Sequence, residues 1–238
     1  MKIVIAPQTF KGCAAGSVIA EAMARGIRQV FPHANLVMRP VGDGGDGTLD
    51  VLLGALGGQR QRTRAVNACG EERWIEWGIV KSDRDPPLAI IEMARICGLH
   101  DLDPIARNPL FTTTYGVGTL IRQALDPGCR QFFIGLGGSA TNDAGCGLLQ
   151  ALGIRFLKSD AQELGWGGAA LADLAHIDLA LMDPRLQNVQ ITVGCDVNNP
   201  LLGSHGATRV YAEQKGATPA MVVELEKALS HFAGIVIR

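Results

Sequence analysis

A glycine-rich segment follows an apolar run in the second half of the chain and restricts the fold more than any other feature. The run Phe132-Phe133-Ile134 predicts a strand, and residues 135–147 continue as Gly-Leu-Gly-Gly-Ser-Ala-Thr-Asn-Asp-Ala-Gly-Cys-Gly. A helix is predicted next, over Ala144–Leu152. Glycines let the backbone approach a ligand, and bare N–H groups before a helix suit a phosphate. The segment therefore predicts a phosphate site in an α/β fold, with a plain tight turn as the alternative.

Composition excludes several classes of protein. The 238 residues are 47% hydrophobic and 19% charged, which is typical of a globular chain. The formal net charge of −1 gives no electrostatic footprint for nucleic acid or for a membrane surface. The apolar runs are shorter than a membrane span needs, and the N-terminal run indicates a first strand instead of a signal peptide. We therefore expect neither a nucleic-acid partner nor a membrane partner.

The cysteines are dispersed along the chain and form no Cys-x-x-Cys pair. This spacing argues against a zinc site and against a disulfide scaffold. Reduced thiols of this kind predict a cytoplasmic protein. The six positions are Cys13, Cys69, Cys97, Cys129, Cys146 and Cys195.

Short β-prone runs alternate with longer segments of helical periodicity. Helices are predicted over residues 20–30 with Ser17 as N-cap, over 119–125, and over 219–233 with Thr218 as N-cap. Residues 158–175 are predicted to be an irregular surface segment. The alternation predicts an α/β fold with largely parallel sheets and ligands at the carboxyl ends of strands. The predicted strands are Ile3–Ala6, Leu36–Arg39, Trp74–Val80, Leu88–Met93, Phe132–Gly135 and Val189–Gly194.

Four further polar segments adjoin predicted elements, beside the glycine-rich loop. Lys11 follows the first strand and could bind a phosphate or a carboxylate, or be a solvated lysine. Asp43 and Asp46 stand among four glycines after the second strand and suit hydroxyl groups or Mg²⁺, or a simple Asp-Gly turn. Asp196 ends a strand that we interpret as buried, which favours a general base or a metal ligand over an Asx turn. Lys215 precedes the last predicted helix, where an anion could bind.

The glycine-rich segment also contains a pattern that is typical of dinucleotide-binding proteins. The pattern Gly135-x-Gly137-x-x-Ala140 satisfies a relaxed dinucleotide fingerprint, but no acidic residue follows at the expected distance. A nicotinamide-dependent oxidoreductase is therefore a weak alternative. No P-loop sequence is present, and the five histidines show no ligand spacing.

Together the five segments resemble the bacterial glycerate kinase family, the ATP-dependent type. The resemblance rests on Ile134–Asp143, on the opening Met1–Pro7 with Phe10-Lys11-Gly12, and on Asp43–Thr48, Cys195–Gly203 and Gln214–Thr218. This chain has Gln8-Thr9 where the family commonly has Asp-Ser, and Cys13 where the family has serine. The family also runs beyond three hundred residues, so the resemblance implies a member without the family's C-terminal part.

The resemblance implies phosphoryl transfer from ATP–Mg²⁺ to a hydroxyl of D-glycerate. Asp196 would be the base, and Lys11 a catalytic residue that binds phosphate or carboxylate with Lys215. Asp43 and Asp46 would bind a glycerate hydroxyl or Mg²⁺, and Asp143 would hold the metal. ATP phosphates would bind Gly135, Gly137, Gly138, Ser139, Thr141 and Asn142.

The resemblance also implies two α/β domains, residues 1–64 being an incomplete first domain and residues 65–238 a second. The apolar run Ile235-Val236-Ile237 predicts a β-prone end that exposes an edge. We accordingly expect low stability, weak kinase activity or self-association as a homo-oligomer, each repaired in a longer form. A truncated protein that binds a sugar acid or a nucleotide without catalysis is the alternative.

Overall fold

The computed structural model describes residues 1–10, 12–81 and 86–237 and shows a mixed α/β fold. The six predicted strands are confirmed, each to within two residues at its ends. The strands are β1 (Lys2–Ile5), β2 (Asn35–Met38), β3 (Gln59–Val66), β4 (Glu72–Val80), β5 (Leu88–Glu92), β6 (Gln131–Gly135), β7 (Arg155–Leu157), β8 (His176–Asp178) and β9 (Gln190–Gly194). The helices are α1 (Gly16–Val30), α2 (Thr48–Leu56), α3 (Ala94–Cys97), α4 (Tyr115–Leu125), α5 (Cys146–Ala151), α6 (Ala207–Tyr211) and α7 (Pro219–Val236).

The main sheet has five strands in the order β3-β4-β5-β6-β9. Strands β5, β6 and β9 are parallel, whereas β3 and β4 form an antiparallel hairpin and β4 also runs antiparallel to β5. Strands β1 and β2 form a separate parallel pair, and β7 and β8 an antiparallel pair. The expectation of largely parallel sheets is therefore right for β1–β2 and for β5–β6–β9, and wrong for the pairs β3–β4, β4–β5 and β7–β8.

Strand β3 and helix α2 are absent from the sequence-based prediction. In β3, the exposed arginines at positions 60, 62 and 64 alternate with less exposed residues, of which Thr63 and Ala65 are buried. The alternation of period two was present in the sequence, but its inward residues are small or polar instead of large and apolar. The proposed division of the chain at residue 65 falls inside β3, one residue before the strand ends.

The largest core cluster lies between the main sheet and α4. Phe132 and Ile91 of the sheet meet Leu120 and Ile121 of the helix, all with 1% exposure or less. Helix α2 covers part of β4 and β5 through Leu49 and a small separate cluster. These two clusters fix the ends of β5 and β6, which lead into the polar loops.

The helix ends confirm one predicted cap and correct another. Thr218 caps α7, since its hydroxyl accepts the Met221 N–H at 3.3 Å and Pro219 is the first helical residue. Ser17 is not the N-cap of α1, because that helix begins at Gly16 after Ala15. The run at 235–237 is not a strand either: α7 extends to Val236, and Ile235 continues the apolar helical face of Leu229 and Phe232, whereas Val236 and Ile237 are 55% and 85% exposed.

Candidate functional site

Three of the loops that the sequence singled out meet at the carboxyl ends of β2, β6 and β9. Gly137, just after β6, donates its N–H to the carbonyl oxygen of Gly44 at 3.0 Å. Leu136 donates to the carbonyl oxygen of Gly194 at the end of β9, also at 3.0 Å. The loops at 42–47, 136–143 and 195–199 therefore form one continuous surface, as parallel strands that end at a common edge allow.

The glycines of these loops allow the loop backbones to pack directly against one another. A Cβ atom on Gly137 would lie 2.6 Å from the Cα atom of Gly45, and one on Gly135 would overlap the backbone of Gly44. A Cβ atom on Gly44 would in turn overlap the carbonyl of Gly194. Gly135 and Gly137 therefore have a packing role against the 42–47 loop, in addition to the phosphate contact that the sequence predicts for them. Gly138 has a positive φ of 74°, which favours glycine on conformational grounds alone.

The N-terminus of α2 is already capped by a carboxylate of the protein. Glu92, 2% exposed at the end of β5, accepts the Leu49 N–H at 2.8 Å and the Gly47 N–H at 3.1 Å. Burial raises the pKa of Glu92, although the hydrogen bond from Leu49 and the charge of Arg95 oppose the shift. Sequence reasoning missed this residue because it looks like the last position of an apolar strand.

At the N-terminus of the short helix α5, the carboxylate of Asp143 accepts hydrogen bonds much as Glu92 does at α2. Its Oδ2 accepts the N–H and the hydroxyl of Thr114, each at 2.8 Å, and the N–H of Gly147 at 3.3 Å, while Oδ1 accepts from Gly145 at 3.2 Å. Burial raises the pKa of Asp143, and these hydrogen bonds oppose the shift. The prediction that Asp143 is a metal ligand disagrees with this environment, because N–H and O–H donors surround the carboxylate. Asp143 joins the starts of α4 and α5 instead.

The same observation argues against a phosphate at the start of α5. The helix has six residues, and its N-terminal N–H groups face Asp143. A pyrophosphate at this helix would meet that buried carboxylate at close range. The geometry therefore also argues against a nicotinamide-dependent oxidoreductase, whose fingerprint requires the pyrophosphate at that position.

Lys215 reaches the glycine-rich loop from the other side. Its Nζ donates to the carbonyl oxygen of Thr141 at 2.6 Å and lies 3.5 Å from the Ser139 Oγ. Burial lowers the pKa of the Lys215 ammonium group. Thr141 and Asn142 are buried, and Asn142 donates its amide to Thr208 at 3.1 Å, whereas Ser139 stays half-exposed. Ser139 is therefore the accessible side chain of this part of the loop.

The two aspartates of the 42–47 loop differ in their surroundings. Asp43 Oδ1 accepts the Gly45 N–H at 2.9 Å, which is the turn that the sequence left open as an alternative. Asp46 Oδ2 lies 3.5 Å from the His100 Nε2. His100 had no ligand spacing in the sequence, and its partner could be found only once the chain is folded.

Asp196 and Lys11 are the remaining site residues that the sequence predicted. Asp196 is exposed and follows β9, an edge strand whose Ile191 and Val193 are 48% and 51% exposed. The inference that this strand is buried was wrong, because an apolar run looks the same at an edge as in the interior. Asp196 nevertheless begins the loop that adjoins Leu136. Lys11 lies outside the described residues.

A cavity of about 420 Å³ opens beside Asp46 and Gly47. Its wall combines both signs of charge, since Arg73 pairs with Asp101 at 3.2 Å and Arg95 approaches Glu92 at 3.5 Å and Asp50 at 3.0 Å. The lining residues are Asp46, Gly47, Arg62, Arg73, Trp74, Ile75, Glu76, Glu92, Ala94, Arg95, His100 and Asp101. Sequence analysis had singled out only Asp46 among them.

Few side chains of the described residues are placed to bind a metal ion. No three His, Cys, Asp or Glu side chains of residues 1–10, 12–81 and 86–237 converge as a metal site. A nucleotide-bound Mg²⁺ ion needs only one or two protein carboxylates, because phosphates and water supply the other ligands. Asp43 fits this requirement, since its second oxygen accepts no hydrogen bond from the described part of the chain. None of the helices described here is long and apolar enough to cross a membrane.

The fold and the site define an α/β protein whose glycine- and aspartate-rich loops gather at one edge of its sheets. The chain belongs to the glycerate kinase family, whose sequence profile matches residues 3–238.

Its relatives are longer than the chain. It is 48% identical over 238 residues to a glycerate kinase of Haemophilus influenzae and 44% identical over 236 residues to a glycerate 2-kinase of Escherichia coli. These matches cover 100% and 99% of this chain but only 62% and 61% of the two relatives. A crystal structure from Salmonella typhimurium LT2, provisionally assigned as a glycerate kinase 2, superposes with a TM-score of 0.86 at 41% identity. That match covers all of this chain and 64% of the other.

Proposed function

We propose that the chain takes part in phosphoryl transfer from ATP to a hydroxyl group of D-glycerate. The observation that carries the proposal is the meeting of the 42–47, 136–143 and 195–199 loops, with Lys215 beneath the second loop. Family membership makes glycerate and ATP the first pair of substrates to test. We propose further that residues 1–64 and 65–238 belong to two α/β domains.

Within this proposal, the glycine-rich loop and Lys215 bind the nucleotide phosphates. Ser139 supplies an accessible hydroxyl and Lys215 a positive charge at 3.5 Å from it, so that both can face one phosphate oxygen. Thr141 and Asn142 support the loop from inside, while Gly138 keeps its backbone turn. Lys11 would add a second charge for phosphate or carboxylate.

Metal and base are assigned to two carboxylates of these loops, the partly exposed Asp43 and the exposed Asp196. Asp43 would hold Mg²⁺, which supplies charge neutralisation at the transferred phosphate when it is bound with ATP. Asp196 would accept the proton of the attacking hydroxyl, a role that an accessible carboxylate at the same edge can fill. Asp46 would contact the acceptor. Catalysis of this kind depends mainly on positioning and on charge, both of which these loops can supply.

The direct experiment measures ADP release from ATP and Mg²⁺ in the presence of D-glycerate. L-glycerate and glycerol serve as acceptor controls, and EDTA tests the metal requirement. Turnover that depends on D-glycerate supports the proposal. Binding of ATP or D-glycerate in calorimetry without any turnover would support the non-catalytic binding protein instead. Parallel absorbance measurements with NAD(H) test the oxidoreductase alternative.

A further inference from the structure

The cavity beside Asp46 holds an unusual concentration of buried polar atoms without partners. Among the described residues, five buried side-chain nitrogen or oxygen atoms form no hydrogen bond within the protein. Three of them, Asp46 Oδ2, Arg73 Nε and Arg95 Nε, belong to residues that line this one cavity. Buried polar groups are nearly always paired, so such a cluster indicates partners that come from outside the protein chain.

The unpartnered groups are of two kinds. Arg73 Nε keeps an N–H donor that forms no hydrogen bond, whereas Arg95 Nε lies 3.5 Å from the Glu92 carboxylate. A guanidinium group presents donors in a geometry that matches a carboxylate. Asp46 has an acceptor oxygen whose neighbour, His100 Nε2, stays 3.5 Å away. A ligand that satisfies both kinds must carry an anionic group and also a hydroxyl that can donate.

The charged side chains that line the cavity limit the class of ligand that it can bind. Carboxylates of the protein partly neutralise the guanidinium groups of the cavity. Asp101 lies 3.2 Å from Arg73, and Arg95 lies 3.0 Å from Asp50, 3.5 Å from Glu92 and 3.8 Å from Glu76. A polyphosphate carries several negative charges and would meet the carboxylates of Asp46, Glu76, Glu92 and Asp101 in the same wall. A small monoanion with a hydroxyl group matches this mixed lining better.

We propose that this cavity binds a short hydroxycarboxylic acid, with Arg73 holding its carboxylate and Asp46 accepting a hydrogen bond from its hydroxyl. The inference rests on the proposed function, since it names the part of the site that takes the acceptor. The site adjoins Gly138, where a Cβ atom would lie 3.6 Å from the Asp46 carboxylate, so the acid would sit next to the phosphate loop.

The three tryptophans allow binding to be located within the protein. Trp74 lines the cavity and is 56% exposed, whereas Trp77 is buried with its indole N–H bonded to Thr63 at 3.1 Å. Trp166 packs on Tyr115 and lies outside the cavity lining. In a ¹⁵N-labelled chain, D-glycerate should shift the indole signal of Trp74 and leave those of Trp77 and Trp166 unchanged. Glycerol, which lacks the carboxylate, and propionate, which lacks the hydroxyls, should bind at least about tenfold more weakly, because each loses a hydrogen bond at a charged group.

Arg73→Gln tests the assignment without touching the Glu92 cap of α2. D-glycerate should bind about 10- to 100-fold more weakly, because one charge-assisted contact is lost. Arg73→Lys should restore part of the affinity. The matched control is Arg64→Gln on the neighbouring strand, which removes the same charge from a residue 5.5 Å from the Trp74 ring but outside the cavity lining. Thermal melting of each variant verifies that the fold is kept.

The inference and the proposed function can fail separately. ATP affinity should be the same in Arg73→Gln as in the unsubstituted chain. Equal D-glycerate affinity of the two proteins, or no shift of Trp74 with D-glycerate, overturns the acid site even where ATP turnover is found. Binding at Trp74 that depends on Arg73 supports the site, even where ATP is neither bound nor consumed and the kinase proposal is lost.

Discussion

Gly137 donates its backbone N–H to the carbonyl oxygen of Gly44 across 3.0 Å, and this contact joins the loop after β6 to the loop after β2. The hydrogen bond can form only because neither loop carries side chains at the crossing point. The glycine pattern of the sequence is therefore first a condition for the loops to meet. Under the proposed function, ligand binding at this edge would depend on that packing.

Gly137→Ala should destabilise the protein by about 1–3 kcal/mol, because the added methyl group would lie 2.6 Å from the Gly45 Cα atom. Urea unfolding measures the change. Gly54→Ala is the matched control, since a Cβ atom there meets nothing within 4 Å and the residue lies inside α2. The control should be neutral or more stable by up to about 1 kcal/mol. Equal effects of the two substitutions would contradict the packing argument.

Glu92 should make the stability of the protein depend on pH. Its pKa in the folded state is raised above the ordinary value of 4.5, so the folded state binds the proton more tightly than the unfolded chain does. This contribution to stability is complete below pH 4.5 and is lost as pH rises through the raised pKa. A tenfold difference in proton affinity between the folded and unfolded states corresponds to about 1.4 kcal/mol of stability.

Glu92→Gln removes this titration while keeping one acceptor oxygen for the N–H groups of Gly47 and Leu49. The wild-type protein should therefore lose stability relative to the variant as the pH rises from 4.5 through the raised pKa of Glu92. Free energies of unfolding from urea titrations at several pH values test this. A difference that grows in favour of the wild type with rising pH would show that the pKa of Glu92 is lowered by folding instead of raised.

Asp143→Asn should reduce stability without changing the response to Mg²⁺. An amide has one acceptor oxygen, so at least one donor, such as the Gly145 N–H, would face the amide NH₂ group, at a cost of about 1–3 kcal/mol. Thermal melting measures the loss, and Asp173→Asn, an exposed carboxylate 3.9 Å from Lys158, is the control. A selective loss of Mg²⁺ dependence with unchanged melting would instead restore Asp143 as a metal ligand.

The sequence predicted the local features of the fold better than the contacts between them. Apolar runs located β1, β2, β4, β5, β6 and β9, because a strand in a packed sheet needs such residues. The polar strand β3 was missed, because its inward positions hold small or polar side chains. The edge position of β9 was also missed, because strand order depends on contacts between distant segments.

For the site, the sequence located the loops but not the partners of their residues. The glycine-rich segments, Lys215 and Asp46 were singled out, and the structure brings them to one edge. Glu92, Arg73, Arg95 and His100 were not singled out, because each takes its meaning from a residue far along the chain. The carboxylate of Asp143 shows the reverse: its residue type suggested a cation, while its neighbours in space are N–H and O–H donors.

Lys215→Met should weaken ATP binding by about tenfold or more, because it removes a charged donor from the Thr141 carbonyl and from the face of Ser139. Methionine keeps most of the side-chain volume, so the packing of the 136–143 loop should change little. Calorimetric titration with ATP measures the effect. Lys227→Met, an exposed substitution on α7, should leave the affinity unchanged. Equal ATP affinity in Lys215→Met and the unsubstituted chain would remove Lys215 from the phosphate site.

Asp196→Asn should lower turnover and leave ligand binding largely intact. The side chain is exposed on the loop after β9, so the amide should cost little stability, and no hydrogen bond within the described residues is lost with the carboxylate. An amide cannot accept the proton of the attacking hydroxyl, and general-base assistance is typically worth about 10²–10⁴-fold in rate. The measurement is kcat for D-glycerate-dependent ADP release, in a form of the protein that turns over, together with the dissociation constants of ATP and D-glycerate. A fall in kcat with unchanged binding identifies Asp196 as the base. A kcat near that of the unsubstituted protein would place the base elsewhere, and Asp43, whose second oxygen is free among the described residues, would be tested next in the same assay.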